Sequence, residues 1–483
     1  MFTFIRQKRI ACWFAALILI ACLGCAPKGA PVSTPSAAPV VIAAETNKPT
    51  AAPTPLPPPQ LRYIFLFIGD GMGYAQVQAA SEALAAASRE PLCFTDFPVA
   101  GSVRTSNINE EVTDSAAAAT AIATGQKTMN GYLGLDAAGN RLTDISETLR
   151  DEGRKIGILT TVSLDHATPG GFYAHVDSRR TYDMIADDLF ASGFDYFAGG
   201  GFHNTPDAAD HATENGYAMI HTFAEAPAVT QDKLILSSSL IFGDSGVIPA
   251  IDGGERVGWL KKATQLAMDR LTSPAGFFMM VEGGRIDYFC HYNDAGSFVA
   301  ELLDMDEAIQ SALEFYRAHP METLILVTAD HETGKVSLGE GDRAALLGQK
   351  ISSDACDDTL VAQCIAAKTP FSEALPLFAD AFGLANLSAE ETAYLKTAYD
   401  HTLKGDLPAN KSNEEYGVYE PITSACDKLV EARAGLTFGS GGHTDTEVPF
   451  YAIGIGSEFF SGTFENTHIH DAILQAVAAY PLS

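Results

Sequence analysis

The chain has 483 residues, of which 31 are Lys or Arg and 60 are Asp or Glu, giving a formal net charge of −29. With 47% apolar and 19% charged residues it has a globular composition, which excludes wholesale disorder, a collagen-like repeat and a multi-span membrane protein. A pI near 4.6 excludes nucleic-acid-specific binding through a basic surface, so an anionic ligand has to be drawn by something other than bulk charge, bound metal being the first candidate.

At the N-terminus Arg6, Lys8 and Arg9 precede an apolar run over residues 10–20, followed by small residues around Cys22 and Cys25. A basic start, a short apolar core and a small-residue cleavage zone have the layout of a secretory signal. The run is short for a membrane span, which takes about 20 residues. Leu19-Ile20-Ala21-Cys22 resembles the lipoprotein signal of bacteria. On that reading residues 1–21 are the removed signal and Cys22 is lipidated, with Cys25 as the alternative; a plain cleaved signal is the simpler reading. Residues 26–60 carry ten prolines and few large apolar residues, so 22–60 is expected to be a lipidated Cys followed by an extended spacer. The expected location is the outer face of a bacterial membrane, reached by export and held by the lipid. Cys93, Cys290, Cys356, Cys364 and Cys426 remain beyond the signal, and Cys356 with Cys364 is the first pair to test for a bridge.

From residue 61 onward strands and helices alternate. Leu61–Ile68 reads as a buried strand that breaks off at Gly69-Asp70-Gly71-Met72-Gly73, and an Ala-rich helix follows to about residue 88. Further strands are predicted at Lys155–Val162, Phe277–Val281 and Thr323–Thr328, and helices at Arg256–Leu271 and Ala295–Phe315. This predicts an α/β three-layer sandwich with a large, mostly parallel central sheet covered by helices on both faces. Residues 340–435 are polar and helix-leaning, without a convincing buried strand, and read as an insertion near the site within a catalytic body spanning 61–483.

Three predicted strands run into metal-competent groups: Asp70, Glu282, and Asp330 with His331. In open α/β sheets ligands bind beyond the carboxyl ends of the strands, so the three ends converge. Asp287 and His291 are four residues apart, which one helical turn places on one face, and carboxylate with imidazole suits Zn²⁺. His443 lies in the glycine-rich run Gly439-Ser440-Gly441-Gly442. Asp114-Ser115 precedes four alanines, so Ser115 is expected at a helix N-terminus, where free amides favour an anion; the same residues also make an ordinary N-cap. No Gly-x-Ser-x-Gly elbow surrounds Ser115, which leaves metal activation as the route to a nucleophile.

In order along the chain, Gly69–Gly73, Val112–Ala117, His166-Ala167-Thr168-Pro169 leading to Arg179, Glu282–Asp287 with His291, Thr328–Gly334 and Gly441–Thr444 resemble the alkaline phosphatase family over roughly residues 61–335 and 437–480. The resemblance implies hydrolysis of small phosphate monoesters of broad specificity through a phosphoserine on Ser115. It implies two Zn²⁺ ions, one held by Asp287, His291 and His443 and the other by Asp70, Asp330 and His331. It also implies one Mg²⁺ held by Asp70, Thr168 and Glu282, with Arg179 clamping the phosphoryl group. His166 and Tyr288 stand where the family varies and are expected around the third metal and the phosphate. The insertion is expected to act as a lid or crown, or as an interface in a homodimer. Two alternatives are a phosphodiesterase of the same superfold, which typically uses Thr and lacks the third metal, and a non-catalytic lipoprotein that captures phosphate or metal.

Overall fold

The computed structural model describes residues 58–203, 205–241, 246–405 and 418–482; the signal, Cys22, Cys25 and most of the Pro-rich spacer lie outside them. No helix among the described residues is long and apolar enough to cross a membrane.

The strands in chain order are β1 (Tyr63–Gly69), β2 (Val99–Arg104), β3 (Lys155–Thr160), β4 (Tyr196–Gly199), β5 (Tyr217–Ile220), β6 (Lys233–Ser237), β7 (Phe277–Gly283), β8 (Thr323–Ala329), β9 (Glu332–Thr333), β10 (Val336–Leu338), β11 (Leu436–Phe438), β12 (His443–Thr444), β13 (Val448–Gly454) and β14 (Gly462–Glu465). Ten of them form one sheet in the order β14-β2-β13-β8-β1-β7-β3-β4-β6-β5, and only β13 runs against the rest. Every residue of β1, β7 and β8 is buried. That is why they read as unbroken apolar runs: a parallel sheet is covered on both faces and leaves no solvent side for alternation.

Register brings the strand ends level. Ile68 pairs with Glu282 of β7 and with Thr328 of β8, so Asp70 and Asp330 each emerge just past the level of Glu282. Since β13 is reversed, its amino end lies at this same edge, and the chain reaches it through β12. Two small antiparallel ladders build that approach: β10 pairs with β11, and β9 pairs with β12 in the register His443↔Thr333. The 340–435 insertion therefore stands on a two-stranded stem whose continuation delivers His443 beside His331. The insertion itself includes helices Phe371–Ala381, Ala389–Lys404 and Pro421–Ala434.

Two expectations change. The helix expected from Arg256 begins at Trp259, because Gly258 takes a left-handed conformation at its N-cap. Arg256 instead sits in the core, where Nη1 donates to Asp304 Oδ2 at 2.8 Å, Nη2 to Glu301 Oε2 at 3.0 Å and Nε to the Ile248 carbonyl at 2.8 Å. Cys356 and Cys364 are not bridged; all five described cysteines are free. The eight-residue separation within consecutive helical turns spans about 12 Å of rise, beyond the reach of a disulfide.

The Arg256 triad is fully buried, so removing the cation leaves two carboxylates without their partner. Arg256→Ala is expected to lower the unfolding free energy by about 3–5 kcal/mol, measured by chemical denaturation. A loss near zero would mean that the two acids find another cation or take up protons at little cost.

Candidate metal centre and nucleophile

Ser115 opens the helix Ser115–Thr124, an alanine-rich segment capped by Asp114, whose Oδ1 accepts from Ala117 N at 3.0 Å. The Ser115 side chain is buried, and its Oγ lies 3.2 Å from His331 Nε2. The same His331 nitrogen is 3.5 Å from Asp70 Oδ1 and 3.3 Å from Asp330 Oδ2. Next to it Asp287 Oδ2 lies 3.2 Å from His291 Nε2, and His443 Nε2 stands 3.2 Å from His291 Nε2. The His331 and His443 rings stack with centroids 3.6 Å apart, which joins the two groups into one centre. Gly71 has φ +73°, and a Cβ there would come within 2.9 Å of the Asp287 backbone, so only glycine lets the β1 turn pass so close.

The imidazoles indicate what this centre accommodates. His291 Nδ1 lies 2.7 Å from the Gly441 carbonyl and His443 Nδ1 lies 2.9 Å from the Thr113 carbonyl. A carbonyl only accepts, so both Nδ1 atoms carry the proton and both Nε2 lone pairs face each other. That arrangement is repulsive unless a proton or a metal cation sits between them. Ligands on a tetrahedral Zn²⁺ stand about 3.3 Å apart, close to the spacings seen here. Buried Asp70 Oδ1, Asp330 Oδ2 and Glu282 Oε1 have no hydrogen-bond partner, so this is a set of acceptors lacking a positive charge. The residues fit divalent cations.

A third group comprises Asp70, His166 and Glu282. Thr168 Oγ1 donates to Asp70 Oδ2 at 3.2 Å, and Thr160 Oγ1 donates to Glu282 Oε2. Opposite the nucleophile, Arg179 Nη1 donates to Asp114 Oδ2 at 3.2 Å and Nη2 lies 3.3 Å from His166 Nε2. Tyr288 is half-buried, with its ring 6.1 Å from that of His166.

The structure thus brings Asp70, Ser115, Thr168, Glu282, Asp287, His291, Asp330, His331 and His443 together, with His166, Arg179 and Tyr288 beside them. Thr160, Thr333 and the contact of Asp114 with Arg179 join the site without having been marked by any motif. Thr333 Oγ1 donates to Asp287 Oδ1 at 2.5 Å, while Asp114 both caps the Ser115 helix and holds Arg179. The N-cap signal pointed to Asp114, but a lone threonine at a strand end has no distinguishing signature. A further acid–imidazole group, Asp144, Glu147 and His175, is a helix capping box with His175 Nε2 engaged by the Leu142 carbonyl at 2.9 Å.

Burial pushes the carboxyls of this centre upward. Asp70 is raised well above the carboxylate range by burial, and the neighbouring Asp330, Asp287 and Glu282 add to the effect. Burial raises Glu282 to about 8 and Asp330 to about 7. Asp287 goes the other way: burial raises it, but His291, His331 and His443 together hold it below its ordinary value.

The alkaline phosphatase family model matches residues 61–198 and 196–479. Alkaline phosphatase 4 of Bacillus subtilis (strain 168) is 30% identical over 424 residues, covering 84% of this chain and 87% of its own length. Alkaline phosphatase of Escherichia coli (strain K12) is 29% identical over 352 residues, covering 60% of this chain and 74% of its own. Among solved structures, the cold-active alkaline phosphatase from the psychrophile Shewanella sp. aligns with a TM-score of 0.74 at 28% identity, over 87% of this chain and 100% of that one. A variant of alkaline phosphatase from the Antarctic bacterium TAB5, with Mg bound in its M3 site, aligns at 0.61 and 27% identity, over 87% of this chain and 99% of that one.

The raised carboxyls have a consequence for stability. A group whose folded pKa exceeds its unfolded value, near 4 for a carboxyl, contributes stability below that value and loses it as pH climbs through the folded pKa. Metal-stripped protein should therefore melt progressively lower between about pH 4.5 and 8, while metal-loaded protein, with these carboxylates ionised around cations, is spared that loss. Scanning calorimetry with and without EDTA should show the two melting curves diverging as pH rises; parallel curves would contradict the assignment.

Proposed function

Because this chain belongs to the alkaline phosphatase family, a family of metal-dependent phosphatases, and hydrolyses phosphate monoesters, we propose that it does so through a phosphoserine on Ser115 with two Zn²⁺ and one Mg²⁺ ions. Asp287, His291 and His443 would hold one zinc; Asp70, Asp330 and His331 the other; and Asp70, Thr168 and Glu282 the magnesium, with His166 beside it. When bound, the cations supply Lewis-acid charge that lowers the pKa of the serine hydroxyl and of water and meets the charge on the leaving oxygen. The observation that carries this reading is the placement of Ser115 Oγ 3.2 Å from His331 Nε2, within the group formed with Asp70 and Asp330.

Each step falls to residues of the chain. Arg179, held by Asp114, presents a planar pair of donors to two phosphoryl oxygens, a bidentate grip that Lys cannot reproduce. Ser115 Oγ gives up its proton and forms the bond to phosphorus as the ester oxygen leaves from the opposite side, and the departing alkoxide takes up a proton to leave as the alcohol. The amide groups at the start of its helix face the resulting phosphoserine dianion. Water then attacks from the side the alcohol left, breaking the Ser115 Oγ–P bond and returning the proton to the serine. Two inversions give net retention at phosphorus. Asp114 stabilises this arrangement twice, since the carboxylate that caps the nucleophile's helix also orients the guanidinium.

For location, the reading of the N-terminal residues stands as a proposal: export, with lipid on Cys22, or on Cys25 in its place.

Ser115→Ala should lose turnover of p-nitrophenyl phosphate by at least about 10³-fold while keeping its zinc, whereas Asp330→Ala should lose both. Wild-type-like turnover in the serine variant, or unchanged metal content in the aspartate variant, would remove that residue from the mechanism. Separately, Cys22→Ala should release the protein from the membrane fraction in a cell-fractionation assay; acylation that persists would move the anchor to Cys25.

A further inference from the structure

Three consecutive residues of the insertion lie beside the ligand-bearing helix Arg285–His291, two of them as anchors and the third in contact with it. Ser352 donates from N and Oγ to the two carboxylate oxygens of Asp252, at 2.7 and 2.8 Å. Ser353 N donates to Asp294 Oδ2 at 2.9 Å, and its Oγ donates to Asp427 Oδ2 at 2.8 Å. Asp294 is itself the cap of the long helix Ala295–Ala318, accepting from Ser297 N at 3.0 Å and from Gln349 Nε2 at 2.8 Å. Pinned on both sides, the chain presents Asp354 to Arg285, with Oδ2 3.8 Å from Nη2.

Arg285 is buried and belongs to the same short helix as Asp287 and His291. Its guanidinium lies over the rings of Tyr288 and Phe289, 5.7 and 5.4 Å from their centroids. At the far end of that helix Tyr292 meets Tyr419 of the insertion edge-on at 5.9 Å. The helix is only seven residues long, too short to hold its own geometry without tertiary support. Burial lifts the Asp354 carboxyl to about 6 against the pull of Arg285, which leaves it ionised at alkaline pH.

We propose that Asp354 is a positioning residue: through Arg285 it holds the helix that presents Asp287 and His291, and the insertion thereby sets the affinity of that cation site. The inference rests on reading Asp287, His291 and His443 as a zinc site. It gives residues 340–435 a role distinct from covering the site, because a charge pair of this kind can act on the ligands without touching the substrate. Support of this sort around metal ligands is worth about 10–100-fold in metal affinity.

The test is zinc competition against a chromogenic chelator on the zinc-loaded full chain, read as the stepwise dissociation constants, the step lost in His291→Ala marking the site in question. Asp354→Asn, nearly the same size without the charge, should weaken that site about 10–100-fold. Asp354→Glu should recover most of the affinity. Arg433→Met removes an ion pair with Glu391 at 3.0 Å that is internal to the insertion, and should loosen the insertion without changing zinc affinity. Asp354→Asn indistinguishable from wild type would overturn the proposal, as would an Arg433→Met loss of equal size, which would show general loosening. His291→Ala binding as many zinc ions as wild type would instead remove the zinc-site reading, and the proposal with it.

Discussion

The structure is organised around one electrostatic conflict. Asp70, Glu282, Asp287 and Asp330 are buried together at one edge of the central sheet. Two like charges 4 Å apart repel by about 4 kcal/mol at an effective dielectric near 20, and four such groups cannot all ionise unaided. Protonation or divalent cations can relieve the repulsion. Protonated, the carboxyls would be inert acids; neutralised by cations, they would form the frame that, on the proposed mechanism, activates a hydroxyl. The Nδ1 protons of His291 and His443, committed to backbone carbonyls, turn both Nε2 atoms inward beside Asp287, where a proton on His291 or a divalent cation supplies the positive charge the acids call for.

The backbone meets this demand with few devices. Parallel strands put the ends of β1, β7 and β8 level, so three acidic positions far apart in sequence arrive without any loop having to reach across. The fourth contribution needs a different solution, since β13 is antiparallel and presents its amino end. The β10–β11 stem and the β9–β12 ladder supply it, lining His443 up with Thr333. The long segment between the two halves of the stem is therefore not free to move independently of the ligands. Its chain closes the ladder that places His443, and its Asp354 meets the helix that carries Asp287 and His291.

Much of this was legible in the residues. Buried parallel strands appear as unbroken apolar runs, and the acidic or imidazole residue that ends each run marks the functional edge. The Asp287–His291 spacing carried helical information because one turn suffices, and the structure gives a helix there. What was not legible depends on tertiary partners. Arg256 sits in an amphipathic stretch whose pattern reads as helix, but a left-handed Gly258 and two buried carboxylates place it in the core instead. Thr160 and Thr333 orient Glu282 and Asp287 with single hydroxyls, and nothing in their immediate sequence distinguishes them from any other threonine. Neither β10 nor β11 could be seen as a pair, since each is three residues long and they lie about a hundred positions apart.

An acidic protein that hydrolyses anionic esters has to separate its local field from its net charge. The charge of −29 acts mostly through water, where at physiological ionic strength it fades over about 8 Å. Inside the site that screening is absent, and nearby charges dominate. Arg179 sits against Asp114 at the mouth of the Ser115 helix, so on the proposed mechanism the phosphoryl group would meet a guanidinium and a helix N-terminus from the protein alone. Asp114 would cancel Arg179 if the guanidinium were its only partner. Its carboxylate also accepts from the backbone amides of Ala117 and Gly131, which share its charge and leave Arg179 only partly neutralised. The acids deeper in the site repel an anion only while they lack cations. The same carboxylates that make the metal-free centre hostile to phosphate are therefore what make the loaded centre attractive to it, and substrate affinity should follow metal occupancy more closely than it follows the overall charge of the chain.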